Sequence, residues 1–176
     1  MTNYILFDGP ARNNLLPFTF TRPVADIRVG ILTIREKWER ILGIQISTST
    51  QDYLSEKWPL TLEEHNIFIN AAIIPNAEFS KQVQNLEKGE KLVWNDLVVA
   101  YYQEGNMEAD LSALKSVEAA GGILHINNTW NIFSKNSEAI SLDFELITKG
   151  RVSQEIHPSN YVKSAENIFI EEGAEV

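Results

Sequence analysis

Apolar positions along the chain alternate between runs of strand type and runs of helical type. Asn3–Asp8 (NYILFD) has a continuous apolar centre from Tyr4 to Phe7 and predicts a buried first strand. Gly9 to Asp26 has no helical period and holds three prolines, so it predicts a long loop. Ile31, Ile34, Trp38, Ile41 and Leu42 fall on one helical face, and Gly43 is a natural C-terminal stop. Ile44–Ser47 and Asn66–Asn70 predict the next two strands. Phe79, Val83 and Leu86 predict a helix ended by Gly89. Lys91–Trp94 and Leu97–Tyr102 predict two strands joined at Asn95-Asp96, a two-residue hairpin signal. Leu111, Leu114 and Val117 predict a helix stopped by Gly121-Gly122, followed by a short strand at Ile123–Ile126. Trp130, Phe133, Ile140, Phe144 and Ile147 keep a helical period up to Gly150.

Strands alternating with helices predict an α/β domain over residues 1–150, with a mixed, mostly parallel sheet flanked by helices. In such sheets ligands bind beyond the carboxyl ends of the strands, which makes the loop from Gly9 to Gly30 the expected site. After Gly150 the period is lost, and residues 151–165, which include His157-Pro158-Ser159-Asn160, read as a connector. Within 166–176, Ile170 and Val176 are six apart, as are Ile168 and Ala174. That spacing predicts the first coil of a left-handed, hexapeptide-repeat β-helix; the alternative is an ordinary C-terminal strand.

Composition narrows the chemistry. The chain has 176 residues, 44% of them apolar and 22% charged, enough for one sizeable core. The net charge of -9 argues against nucleic-acid binding, which needs clustered cations. No apolar run is long enough to span a bilayer, and the absence of cysteine fits a reducing cytosol, so a cytoplasmic enzyme is expected. A phosphorylated small molecule needs only a local group of donors. Arg12, Arg22, Arg28, Arg35 and Arg40 supply most of the positive charge of the first forty residues, although Arg35 and Arg40 read as solvated helix residues. His65, His125 and His157 have no ligand spacing, and the four tryptophans, Trp38, Trp58, Trp94 and Trp130, read as core.

The run Pro17-Phe18-Thr19-Phe20-Thr21-Arg22-Pro23, followed by Ala25-Asp26-Ile27-Arg28-Val29-Gly30, resembles the signature of the sugar nucleotidyltransferases. In that family a Gly-rich loop ending in Gly-Thr-Arg precedes Pro-Leu-Thr-x-x-x-Pro-Lys and an apolar stretch reaching a glycine before a helix. The chain is most similar to a branch in which a divergent, Rossmann-like nucleotidyltransferase domain precedes a β-helix acyltransferase. That branch comprises the bifunctional UDP-N-acetylglucosamine diphosphorylases and glucosamine-1-phosphate N-acetyltransferases. Phe68-Ile69-Asn70 before Ile74-Pro75, and Trp130-Asn131-Ile132-Phe133 with Asn136, agree with it.

The resemblance implies transfer of UMP from UTP to N-acetylglucosamine 1-phosphate or a related sugar phosphate, with Mg²⁺, and a homotrimer built by the β-helix. It implies Arg12 and Arg22 as catalytic cations, Gly9, Asn13, Asn14, Arg28 and Asn70 as nucleotide or substrate contacts, and Asp8 as a metal ligand. The departures are specific. The loop has one glycine, and Pro10 has no N–H to offer a phosphate. Asn14 stands where the family has arginine, Val24 where it has lysine, and Asn70 begins a run with no carboxylate where it has a metal-binding aspartate. Ion pairs with Asp8 or Asp26 are the alternative for Arg22 and Arg28, and a nucleotide-binding or regulatory domain that has lost catalysis is the alternative for the whole.

Overall fold

The computed structural model describes residues 2–176. Its centre is a six-stranded sheet in the order β2-β1-β3-β6-β5-β7. The strands are β1 (Asn3–Phe7), β2 (Ser47–Ser49), β3 (His65–Asn70), β5 (Glu90–Trp94), β6 (Leu97–Glu104) and β7 (Lys115–Glu118). β1 lies parallel to both β2 and β3, β6 is antiparallel to β3 and β5, and β7 is parallel to β5. Five strands therefore run one way and β6 alone runs against them, the mixed, mostly parallel sheet expected from the pattern. A second ladder of two short strands, β4 (Ile73–Ile74) and β8 (Leu124–His125), extends the carboxyl end of β3.

The core lies on one face of this sheet. Leu6, Ile69 and Ala100 are in register across β1, β3 and β6, and all three are buried. Helices α2 (Ile34–Leu42) and α4 (Ala77–Gln84) cover them. Trp38 from α2 is fully buried, meets Phe79 of α4 edge-on at 5.7 Å, and donates its indole N–H to the Ile73 carbonyl at 3.2 Å. That bond satisfies the only polar atom of the largest core side chain. Helix α2 begins with a capping box between Thr33 and Glu36, and ends where Gly43 takes a left-handed conformation at φ 70°. On the opposite face Phe68 stacks on Tyr101 at 4.8 Å, and burial, helped by Glu108, pushes the Tyr101 phenol up to about 12.

Several elements differ from the pattern. The expected loop after β1 contains a short helix, α1 (Ala11–Asn14), and two 3-10 turns at Phe18–Phe20 and Val24–Asp26; the peptide bond before Pro17 is cis. The second strand lies at Ser47–Ser49 instead of Ile44–Ser47, because Ile46 is drawn into the core ahead of it. Helix α4 stops at Gln84, five residues before Gly89, which instead turns the chain into β5 at φ 83°. The hairpin is as expected, with Asn95 and Asp96 both left-handed at φ 47° and 62°.

Leu111–Val117 is not a helix: Ala113 closes a turn onto Asp110, and Lys115–Glu118 then forms β7 beside β5. Three apolar residues at three-residue spacing were too few to outweigh an available parallel edge. The C-terminal helix is two helices, α5 (Thr129–Ser134) and α6 (Asn136–Thr148), hinged at Lys135. Trp130 and Phe133 of α5 are 66% and 88% exposed, so neither is core. A further short helix, α3 (Asp52–Ser55), follows β2. Residues 166–176 form no strand; Ile170 is buried, while Ala174 and Val176 are exposed.

His125 of β8 lies edge-on to Trp94 at 6.0 Å, and its Nε2 is buried with no hydrogen-bond partner among the described residues. Burial, reinforced by nearby Lys135, lowers its pKa from 6.5, so the folded chain keeps the ring neutral. A depressed folded pKa gives stability that is complete above the unfolded value and is lost as pH falls through the folded one. Urea midpoints should therefore drop on acidification below about pH 6.5, and His125→Phe should flatten that part of the profile.

Candidate functional site

Parallel pairing of β1 with β3 sets Phe7 opposite Asn70 and brings Gly9 over the end of β3. A Cβ on Gly9 would stand 2.7 Å from Asn70 Nδ2, so only glycine lets the chain cross there. Asn70 is fully buried; its Oδ1 accepts the Ala72 N–H at 3.0 Å and its amide donates to the Val98 carbonyl at 3.4 Å. It therefore shapes the turn under the loop, with its amide and carbonyl already bonded to backbone.

Asp8 and Arg12 hold the loop together. Asp8 Oδ2 accepts from Arg12 Nη1 at 2.7 Å and from the Thr50 hydroxyl at 2.6 Å, and Oδ1 accepts from the Val24 N–H at 2.8 Å. Arg12 Nη2 donates to the Thr19 carbonyl at 2.6 Å and to the Tyr53 hydroxyl at 2.7 Å. The Asp8 side chain is 3% exposed and that of Arg12 10%. A planar guanidinium is suited to serve three acceptors at once, and here it spans β1, the Phe18–Phe20 turn and α3. Both groups expected to act on ligand are thus bonded within the protein.

The same accounting bears on a metal. No group of three His, Asp or Glu side chains converges among the described residues. Asp8 has both oxygens engaged and Asn70 is an amide, so this donor set does not fit Mg²⁺, a hard cation that takes carboxylate and water oxygens.

The remaining candidates face outward. Asn13 and Asn14 are exposed on α1. Arg22 is exposed and makes no ion pair or hydrogen bond among the described residues, while the Val24–Asp8 bond draws its segment against the start of the loop. Neither Asp8 nor Asp26 pairs with Arg22 or Arg28. Asp8 is taken by Arg12, and Asp26 by Arg35 at 2.6 Å, so Arg35 is not a solvated helix residue; it also donates to the Ile46 carbonyl and the Thr48 hydroxyl. Arg28 donates to the Ile31 carbonyl and lies 3.6 Å from Glu36, with 56% of its side chain exposed. Partial burial raises the Glu36 pKa, but the Thr33 N–H and hydroxyl, with Arg28 and Arg40, hold it below the usual carboxylate value.

One arrangement had no signal in the pattern. Lys37 of α2 and Asp143 of α6 form an ion pair with both side chains 1% exposed. Asp143 Oδ2 also accepts the N–H groups of Ile31 at 2.8 Å and Leu32 at 3.1 Å, and Asn136 Oδ1 accepts that of Gly30 at 2.7 Å. Gly30 sits at φ 85°, and a Cβ there would meet Asp143 at 2.5 Å. Burial lowers the Lys37 pKa, with Asp143 opposing that shift. A cavity of about 350 Å³ lies elsewhere, at the amino ends of β1 and β2, lined by Asn3, Ser47, Trp58 and Thr61 among others. It includes none of the predicted site residues.

The arginine-bearing loop lies beyond the carboxyl ends of the parallel strands, the place where open α/β sheets bind ligands. Residues 4–152 match the model of the sugar nucleotidyl transferase family. The chain belongs to that family, whose substrates are a nucleoside triphosphate and a sugar phosphate. Among solved structures it is similar to a Bacillus anthracis protein assigned as a glucose-1-phosphate thymidylyltransferase and crystallised with sucrose. The identity is 10%, the TM-score 0.48, and the match covers 82% of this chain and 97% of that one. No curated protein matches the chain significantly. No helix among the described residues is long and apolar enough to cross a membrane.

Arg12→Ala should leave the Asp8 carboxylate buried without its cation and cost about 3–5 kcal/mol in urea unfolding, while Asn13→Ala, at an exposed site, should change stability by less than about 0.5 kcal/mol. Asp143→Ala should cost about 3–5 kcal/mol by the same mechanism, and Lys37→Met/Asp143→Leu, which removes both charges, should recover most of it.

Proposed function

We propose that this chain is a sugar-1-phosphate nucleotidyltransferase domain that joins UMP from UTP to N-acetylglucosamine 1-phosphate or a closely related sugar phosphate. A phosphate oxygen of the sugar phosphate attacks the α-phosphorus of the triphosphate. The bond from that phosphorus to the bridging oxygen of the β-phosphate breaks, and pyrophosphate leaves. This chemistry asks the protein chiefly for in-line positioning and cations over the developing charge.

The observation that carries the proposal is that Arg22 and Arg28 stay solvent-accessible and unpaired with either nearby aspartate, on a loop whose other charges are used internally. Arg22 is then the triphosphate contact beside Gly9, Asn13 and Asn14, and Arg28 the contact at the far end of the loop. Arg12 becomes the residue that holds the loop in shape.

A second reading has its own support. Val24 is buried where the family has lysine, Asp8 is taken up by Arg12, Thr50 and the Val24 N–H, and Asn70 is bonded to backbone. A domain that binds nucleotide without turning it over, and that regulates an attached acetyltransferase, would keep the arginines and lose those groups.

Residues 151–176 support a β-helix start in this larger scheme. Two turns, at His157–Asn160 and Ser164–Asn167, bring the segment back beside its own beginning: Gln154 donates to the Ile170 carbonyl at 3.0 Å, and the Arg151 guanidinium covers the Phe169 ring at 4.8 Å. A third turn follows at Glu171–Ala174. A segment that folds back on itself in this way is a base onto which coils of a β-helix acetyltransferase would stack and through which the protein would trimerise.

Incubation with UTP, N-acetylglucosamine 1-phosphate and Mg²⁺ should release pyrophosphate. Arg22→Ala should abolish the rise in melting temperature given by UTP. Stabilisation without pyrophosphate would favour the binding module, and neither effect with any sugar phosphate or nucleotide would rule out both readings.

A further inference from the structure

The buried Lys37–Asp143 pair is far more than a helix-to-helix staple, because the carboxylate does not stop at the ammonium. Asp143 Oδ2 takes the N–H groups of Ile31 and Leu32. The Leu32 N–H and the Ile31 C=O belong to one peptide group. That group is planar and trans, so fixing its N–H fixes the direction of its carbonyl on the opposite side. The Ile31 carbonyl is the acceptor of Arg28 Nη1. A continuous chain therefore runs from the Lys37 ammonium through Asp143 and the Ile31–Leu32 peptide to the Arg28 guanidinium. Hydrogen bonds in such a chain polarise one another, and the anionic carboxylate makes the Ile31 carbonyl a better acceptor.

We infer that Asp143 is a positioning residue for Arg28, holding its guanidinium outward through the Ile31–Leu32 peptide although it lies on α6, more than a hundred residues away. The inference deepens the proposed function, since it rests on Arg28 meeting phosphate. The competing anchor is weak: Glu36 stands 3.6 Å from Arg28 Nη2, with 42% of its side chain exposed, and a pair of that kind orients little in water. The Gly30 turn adds to the case. Its left-handed backbone and lack of Cβ let Asp143 approach the peptide, and Asn136 of the same helix secures the preceding N–H. Helix α6 thus presents two acceptors to three consecutive amides at the tip of a turn whose base is closed by the Ile34 N–H on the Ile27 carbonyl.

The test uses the full chain and two readouts. Nitrogen-15 relaxation at Arg28 Nε reports the pose directly, with Arg35 Nε, held by Asp26, as internal control. Lys37→Met/Asp143→Leu keeps the buried volume apolar while removing the carboxylate; Lys37→Leu/Asp143→Val, which also leaves no side-chain acceptor for the Ile31 and Leu32 N–H groups, is the second variant should that one fail to fold. In either, Arg28 Nε should become averaged on the nanosecond scale while Arg35 is unchanged. Unchanged order at Arg28 overturns the inference.

The second readout is a double-mutant cycle on Mg²⁺–UTP binding. Arg28→Ala should weaken binding about tenfold in the parent, and by less than about threefold once Asp143 has been replaced. Fully additive losses would also overturn it. No effect of Arg28→Ala in the parent would instead remove Arg28 from the proposed nucleotide site, and the relaxation data would still decide whether Asp143 positions it.

Discussion

The contact between Asp8 and Arg12 is the constraint on which the loop over the sheet depends. A carboxylate at the end of a parallel strand would ordinarily face ligand or water. Here it is closed off by a guanidinium, a hydroxyl and a backbone amide, and the guanidinium in turn gathers the Thr19 carbonyl and the Tyr53 hydroxyl. Burying two charges is costly unless they are paired and hydrogen-bonded, and here the guanidinium makes three hydrogen bonds and both carboxylate oxygens accept. The result is a segment of more than twenty residues with little regular structure that is still bonded to itself and to α3 through buried polar groups. The two side chains that the motif offers as metal ligand and phosphate clamp, Asp8 and Arg12, are thus engaged with the protein itself.

This trade explains how the departures from the family pattern fit together. With Val24 buried in place of a lysine and its N–H on Asp8, the second half of the motif is anchored through backbone. The arginines that stay exposed on this segment, Arg22 and Arg28, stand at two separated points of it. Membership of the sugar nucleotidyl transferase family, over residues 4–152, and the loss of several of its usual polar groups are both properties of this chain.

Much of the fold was legible because it rests on local signals. The buried run at Tyr4–Phe7, the Thr33–Glu36 cap with Gly43 behind it, and the Asn95-Asp96 turn each encode their structure within a few residues. The errors share a cause. Lys115–Glu118, at the end of the expected helix, became a strand because β5 offered an edge, and Trp130 and Phe133 stayed outside because short α5 turns Ile132 toward the core instead. For the site, Gly9, Asn70 and the loop were visible as a place, but the partners that decide each role were not. Arg12 finds Tyr53 forty-one residues on, and Ile31 finds Asp143 at a separation of 112. No periodicity or motif carries that information.

The two edges of the sheet are built unlike its middle. One is β2, three residues of Ser47-Thr48-Ser49; the other is β7, whose exposed positions include Lys115 and Glu118. Short, hydroxylated or charged edges give an incoming strand little to extend along. The sheet edges thus disfavour strand addition, and the large apolar side chains left in water lie elsewhere, on the outer side of α5 with Trp130 and Phe133. The helix that carries Asp143 joins that apolar surface to the loop over the sheet, so a load on one is felt through a single rigid element by the other.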